Sequence, residues 1–522
     1  AMVSLKSLFA VGGFTFLSRI LGLVRDQFIA AYVGAGTVAD AFVLAFRVPN
    51  MFRRIFAEGA FSSAFVPVYS RVKTETGETE AQLFARNALG AMLVTVLPLC
   101  ALMIWGMPQV MGFLASQSND PAMVQLATSF GRIMFCYLAA MALLALFSGV
   151  LQSHGKFSAA AAAPTMLNVV MIVALVTVLP FIGTPGYVLS WSVAVAGILQ
   201  VLVVVWGLRR SGLRVLKPSF GWSKDLGKML WLMGPGLISA GVWQINTLVH
   251  SVIAASEQSA LSYLYFSDRL YQLPLGLIGV AFGVVLLPTL TKSLRGGRPD
   301  EAHAAMNRGL EFAMLITLPA AIAMMIIPLP LCVALFEYGM FSREDAIATA
   351  NTLFMLGIGV PASVLTKVFM PGFYAREDTT TPMYHAVVAV ILSAGLGWYL
   401  FQSMTYIGLA LAISVSMWAM TALQAFTMLR WGYWQPDARL VSKLIRIAIA
   451  SVAMGAALYV AQDLLRAFLF DGSQLESVLG MLMIVAFGAI VYAIAAFVTR
   501  ATRVSELKAA FRPNPAAAKT DA

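Results

Sequence analysis

Apolar runs of about twenty residues recur from one end of this 522-residue chain to the other, separated by short polar segments. A run of that length, wound at about 1.5 Å per residue, matches the hydrocarbon thickness of a bilayer. Inside lipid, only helices and closed barrels satisfy their own backbone groups, and runs this long predict helices. Composition agrees: 60% of residues are hydrophobic and 11% charged, where soluble domains carry about 25% charged residues. The predicted fold class is an all-α polytopic membrane protein. The first run is too long for the core of a cleavable leader and lacks a small-residue cleavage site, so it reads as a retained span.

Fourteen spans are predicted, near 6–33, 38–68, 84–113, 128–152, 158–181, 185–208, 228–254, 260–290, 306–335, 346–374, 381–401, 406–429, 440–462 and 477–499. Alternate loops differ sharply in charge. One set holds Arg71, Lys73, Arg86, Lys156, Arg209, Arg210, Arg214, Lys217, Lys224, Lys292, Arg295, Arg298, Arg376, Arg430 and Arg439, and the tail adds Arg500, Arg503, Lys508, Arg512 and Lys519. The other set holds only Arg343 and Arg466. The positive-inside rule puts the basic loops and both termini in the cytoplasm. The formal charge of +11 follows from these loops and does not point to nucleic acid.

The halves repeat. "GAFSSAFVPVYSR" aligns with "VAFGVVLLPTLTK" at an offset of 221, matching Pro67 to Pro288 and Arg71 to Lys292, and the same offset matches Pro98 to Pro319. Six helices separate the matched positions, so the repeats are parallel, the arrangement of carriers whose lobes rock around a shared site. The predicted layout is an N-terminal lobe at 1–220, a C-terminal lobe at 221–436, two added helices at 437–502, and a polar tail at 503–522 that reads as disordered.

Charge at bilayer depth costs at least about 2.5–3.5 kcal/mol per group and marks cavities or pathways. In "SRILGLVRD", Arg19 lies about 20 Å along the helix from Lys6, too deep to snorkel easily. Arg25 and Asp26 lie nearer the far side, and Gly22 offers a bend that would turn both arginines into one cavity. Span 2 adds Asp40, Arg47, Arg53, Arg54 and Glu58. Arg54 and Glu58 sit four apart, the spacing of a structural ion pair, whereas Arg47 and Arg53 have no obvious partner in sequence. Span 8 adds Asp268 and Arg269. The repeat maps Arg19 to Ala240, Arg25 to Asn246 and Arg53 to Pro274, so the bundle does not demand these cations. An excess of guanidinium over carboxylate suits an anion, above all phosphate oxygens. The alternative use of these charges is salt bridging within the bundle. No nucleotide-binding loop is present, the four histidines make no metal spacing, and Cys100, Cys136 and Cys332 read as apolar filler. No cofactor, metal or catalytic residue is expected.

"SRILGLVRD", "DAFVLAFRVPNMFRRIFAEGAFSSAFVP", "SDRLYQLPLGLIGVAFGVVLLP" and "PGFYAREDTTTP" together resemble the MurJ (MviN-type) lipid II flippase family of the MOP exporter superfamily, along essentially the whole chain. The resemblance implies a transporter, not an enzyme. It implies movement of an undecaprenyl-diphosphate-linked peptidoglycan precursor from the cytoplasmic to the periplasmic leaflet of the bacterial inner membrane. It implies substrate-binding roles for Arg19, Arg25, Arg53 and Arg269, and supporting roles for Ser18, Asp26, Asp40 and Glu58; Asp268, adjacent to Arg269, reads from the sequence itself as a supporting residue across the bundle. It places the lipid tail in a groove lined by the last two helices. Members often carry Glu where Gln272 stands. A sodium site formed by spans 7, 11 and 12 is not expected, because their interiors hold no carboxylate. Membrane potential is the expected driving force, membrane lipids and cell-wall or division proteins the expected partners. Rival readings are a polysaccharide-unit flippase, a cation-coupled multidrug antiporter of the same fold, and a non-transporting scaffold.

Overall fold

A computed structural model describes residues 5–55 and 61–502. Among these it is all helical, and nine of its helices are long and apolar enough to cross a membrane. The polar tail, Glu58 and Gly59 lie outside the described residues.

Helices follow one another with little between them. They are α1 (Leu5–Val33), α2 (Thr37–Arg53), α3 (Phe61–Thr76), α4 (Glu78–Trp105), α5 (Met107–Leu114), α6 (Pro121–Met134), α7 (Cys136–Ser153), α8 (Ser158–Thr177) and α9 (Leu179–Ile182). Then come α10 (Pro185–Arg210), α11 (Lys224–Ala254), α12 (Ala260–Arg295), α13 (Pro299–Ile326), α14 (Pro328–Phe336), α15 (Arg343–Tyr374), α16 (Thr380–Arg430), α17 (Ala438–Leu464) and α18 (Gln474–Val498). The α16 helix is broken at Thr405, whose φ of 50° and ψ of −135° are not helical.

Helix starts are set by polar caps that satisfy otherwise orphaned N–H groups. Asp120 accepts from Ala122 and Met123 at the head of α6, Ser223 from Leu226 at α11, and Asp437 from Leu440 at α17. Ser473 and Glu476 form a reciprocal capping box on α18. Left-handed turns also recur. Gly36, Gly77, Gly155, Gly183 and Gly212 have positive φ, and so do Ser259, Glu377, Thr405, Gly297 and Gly432, each 220 to 223 residues beyond one of the first set.

Two compact units result. The first comprises the described residues up to Phe266 together with Phe336–Asp345 and Trp398–Leu409. Its core is aromatic, with Phe65, Tyr69 and Phe84 stacked among Leu89, Leu146 and Val204. Small residues let these helices close up, as where Gly149 faces Phe65 and Gly197 faces Tyr137. Large apolar side chains such as Trp105, Phe181 and Trp231 stand on the outside, the arrangement expected of a surface solvated by lipid.

The second unit holds Ser267–Leu335, Ala346–Gly397 and the described residues from Ala410 onward. Its last two helices pack on α13 around Met454, Leu458 and Ile484. Polar ties fix α13 to the segment before α17. Arg308 pairs with Glu311 and with the capping residue Asp437, and Asn307 donates to the Gln435 carbonyl at 2.9 Å.

Candidate functional site

The charged stretch of α1 builds a closed cluster inside the first unit. Arg25 is 6% exposed and Asp26 fully buried. The Arg25 Nε and Nη2 donate to Asp26 Oδ1 at 3.0 and 2.7 Å, so neighbouring residues meet because the long arginine chain folds back on itself. Nη1 donates to Asn168 Oδ1 of α8 at 2.9 Å, and Nη2 reaches the Tyr265 hydroxyl of α12 at 3.3 Å. Tyr265 donates in turn to Asp26 Oδ1 at 2.7 Å, and Asn168 Nδ2 donates to the Ser18 carbonyl at 2.9 Å. A guanidinium held by a carboxylate, an amide and a phenol is compensated for burial, which an isolated charge would not be.

Arg19 is placed differently. Its side chain is exposed and makes no hydrogen bond or ion pair among the described residues. The helix α1 runs as one element through Gly22. Gly22 faces the Asn168 amide, about the distance of a van der Waals contact from where a Cβ would stand. The two arginines of "SRILGLVRD" thus share no partner: one is locked in a polar cluster, the other is open.

Asp40 sits at the start of α2, 3% exposed. Its Oδ2 accepts from the Ser259 N–H at 2.7 Å, and its Oδ1 from the Ser262 N–H at 2.9 Å and the Ser262 hydroxyl at 2.5 Å. Both oxygens are thereby committed to the N-terminus of α12, where orphaned N–H groups and the helix dipole favour an anion. The resemblance implies a supporting role for Asp40, and the geometry makes it a helix cap supplied from a distant helix. Arg47, which had no partner in sequence, finds one in α11: Nη1 reaches the Thr247 carbonyl at 3.3 Å and also the Ser251 hydroxyl. Arg53 is half-buried, its Nε donating to Asn50 Oδ1 at 2.9 Å.

Asp268, Arg269 and Gln272 belong to the second unit. Asp268 and Arg269 are half-buried, and Gln272 Nε2 donates to Asp268 Oδ1 at 3.3 Å, one helical turn back. The same unit carries an apolar groove of about 450 Å³, lined by α13, α17 and α18 through Pro319, Ala323, Leu458, Gly488, Ala489 and Tyr492. The Tyr492 hydroxyl in its lining is turned to the Leu315 carbonyl at 2.6 Å. Among the described residues, no group of three or more His, Cys, Asp or Glu side chains is placed to hold a metal ion.

Asn168, Tyr265, Ser259 and Ser262 were not anticipated. Asn168 carries the one available signal, an amide within the apolar run "TMLNVVMIVALV". The others look like ordinary residues of a helix start.

The family model described as "Lipid II flippase MurJ" matches residues 29–500. A probable lipid II flippase MurJ of Rhizobium meliloti (strain 1021) is 41% identical over 469 residues, 88% of this chain and 87% of the relative. The lipid II flippase MurJ of Burkholderia cenocepacia is 36% identical over 445 residues, 83% of this chain and 85% of the relative. Among solved structures, a lipid II flippase MurJ in an inward closed conformation superposes with a TM-score of 0.79 at 22% identity, covering 94% of this chain and 98% of that one. An inward-facing multidrug resistance MATE transporter of the MOP superfamily superposes at 0.69 with 13% identity, covering 80% and 94%.

Proposed function

The chain belongs to the lipid II flippase MurJ family, and we propose from that premise that it carries lipid II across the cytoplasmic membrane by alternating access. It is a transporter rather than an enzyme, and a multi-pass membrane protein. The observation that carries the reading is similarity to lipid II flippases along nearly the whole length, at up to 41% identity. The likeness to multidrug carriers is one of fold alone.

Read as one crossing per apolar run, the helices make fourteen spans, in two parallel repeats of six plus a final pair. The left-handed turns recurring at 220 to 223 residues support the repeat. Both termini are cytoplasmic on this reading, because the basic loops share one side.

The diphosphate of the substrate is met by Arg19, Arg25 and Arg53 of the first unit; Arg269 is a further cation, carried by the second unit. Asp26 acts as a built-in counter-ion, keeping Arg25 compensated while no substrate is bound. Phosphate oxygens then compete with Asp26 and the Tyr265 hydroxyl for the same guanidinium. Asp40 holds the head of α12 in place while this exchange occurs. The long hydrocarbon tail lies along the groove of α13, α17 and α18, whose lining is apolar. The inside-negative potential favours outward movement of a bound anion by about 2.3 kcal/mol per charge per 100 mV.

The test is depletion in cells, followed by measurement of how much lipid II becomes accessible at the periplasmic face. Loss of that access, restored by the wild-type gene, supports the reading; undiminished access in depleted cells contradicts it.

A further inference from the structure

The segment joining α10 to α11 does not hang free. It lies against the first turns of α4: the Ser219 N–H donates to the Arg86 carbonyl at 2.9 Å, the Arg86 Nε to the Lys217 carbonyl at 2.9 Å, and the Arg214 N–H to Gln82 Oε1 at 3.1 Å. The fit leaves no room for a side chain at position 90, where a Cβ would overlap the Ser219 carbonyl.

Two neighbouring cavities result. One, of about 470 Å³, is lined by Arg86, Arg209, Arg214 and Lys217 with Gly212, Leu213 and Leu216. It has no carboxylate in its lining, and none of the four cations is ion-paired among the described residues. The other, of about 390 Å³, is an apolar groove whose walls include Ala91, Val94, Phe220, Trp222, Leu230 and Met233. Adjacent residues of α4 join them, Arg86 in the basic pocket and Asn87 in the groove. Asn87 is 7% exposed, and its side-chain Oδ1 has no hydrogen-bond partner. Phe220 and Trp222 are largely exposed at the groove mouth, as aromatic side chains are where hydrocarbon meets headgroups.

The geometry points to a binding site for an anionic glycerophospholipid, distinct from the charged cluster of α1. Its phosphodiester sits among Arg209, Arg214, Lys217 and the free edge of Arg86. One acyl chain lies in the groove. Guanidinium forks match phosphate oxygens, and basic pockets at the cytoplasmic face recognise anionic headgroups. A free phosphate would use the basic pocket and ignore the groove; a zwitterionic lipid would use the groove and gain little from four cations.

The purified full-length protein is exchanged into mixed micelles containing phosphatidylglycerol or phosphatidylcholine, and retained lipid is counted by native mass spectrometry. The wild type is expected to retain phosphatidylglycerol selectively, and millimolar inorganic phosphate is expected not to displace it. The variant Arg209→Gln/Arg214→Gln/Lys217→Gln should lose at least about ten-fold in retention. Val94→Trp, which fills the groove from an exposed position, should lose retention with unchanged thermal unfolding. Equal retention of phosphatidylcholine, displacement by phosphate, or full retention by folded Val94→Trp overturns the proposal.

Discussion

Asp40 caps the first turn of α12 through Ser262, its Oδ1 accepting both the backbone N–H at 2.9 Å and the hydroxyl at 2.5 Å, although the two residues are 222 positions apart. A buried carboxylate meeting a helix N-terminus is worth more than a surface cap, because charged hydrogen bonds and the dipole act without solvent screening. Asp40→Asn keeps the shape, loses the charge and turns an amide donor toward N–H groups. The expected loss is about 2 kcal/mol of stability, read as a lower unfolding temperature in detergent. Wild-type stability in the variant would show that the cap does not hold α12.

The Arg25–Asp26 pair has two roles that substitution separates. Arg25→Ala leaves a buried, uncompensated Asp26 and should destabilise by about 3–5 kcal/mol. Arg25→Met/Asp26→Leu removes both charges and should recover most of that loss, since apolar replacement of a buried pair is often neutral. Transport should stay lost in the double variant. A double variant that is stable and still transports would reduce the pair to a structural element.

Arg25→Lys tests the fork rather than the charge. An ammonium cannot reproduce the contacts to Asp26, Asn168 and Tyr265 through three separate nitrogens. Transport should fall by about ten-fold or more, one charge-assisted bond being worth about 1.5–3 kcal/mol. Full activity in the lysine variant would argue against bidentate recognition of the diphosphate.

The groove of α13, α17 and α18 should read tail length. Ala489 is exposed and lines it, so Ala489→Trp fills the groove without disturbing the core. Movement of a long-chain substrate should slow by about ten-fold, the equivalent of about 1.4 kcal/mol, while a short-chain analogue with the same headgroup is much less affected. Equal slowing of both would move the tail elsewhere.

Much of this was legible in the chain itself. Apolar runs of membrane-spanning length, and the division between spans 381–401 and 406–429 at which Thr405 breaks α16, follow from local chemistry. The individual partners do not. Asn168 and Tyr265 meet Arg25 from 143 and 240 positions away, and no local pattern announces such a contact. Asp26 was the hardest to place, because adjacent residues on a helix point in different directions; arginine overcomes that with length, folding its fork back onto its neighbour. At Gly22 the Asn168 amide approaches a continuous helix, a contact equally silent in the local sequence. Asp40 reads in sequence as one more charge at bilayer depth, whereas its partners Ser259 and Ser262 lie in "SALS", a helix start more than 200 positions away.

The most direct test is reconstitution. Purified protein in liposomes, with labelled lipid II on the inner leaflet and an imposed inside-negative potential, should bring the label to the outer face far faster than protein-free liposomes do, and faster than without the potential. The folded Arg25→Met/Asp26→Leu variant should remain at the protein-free rate. Wild-type protein that is monodisperse and correctly inserted, yet leaves lipid II at the background rate under that potential, would contradict the account.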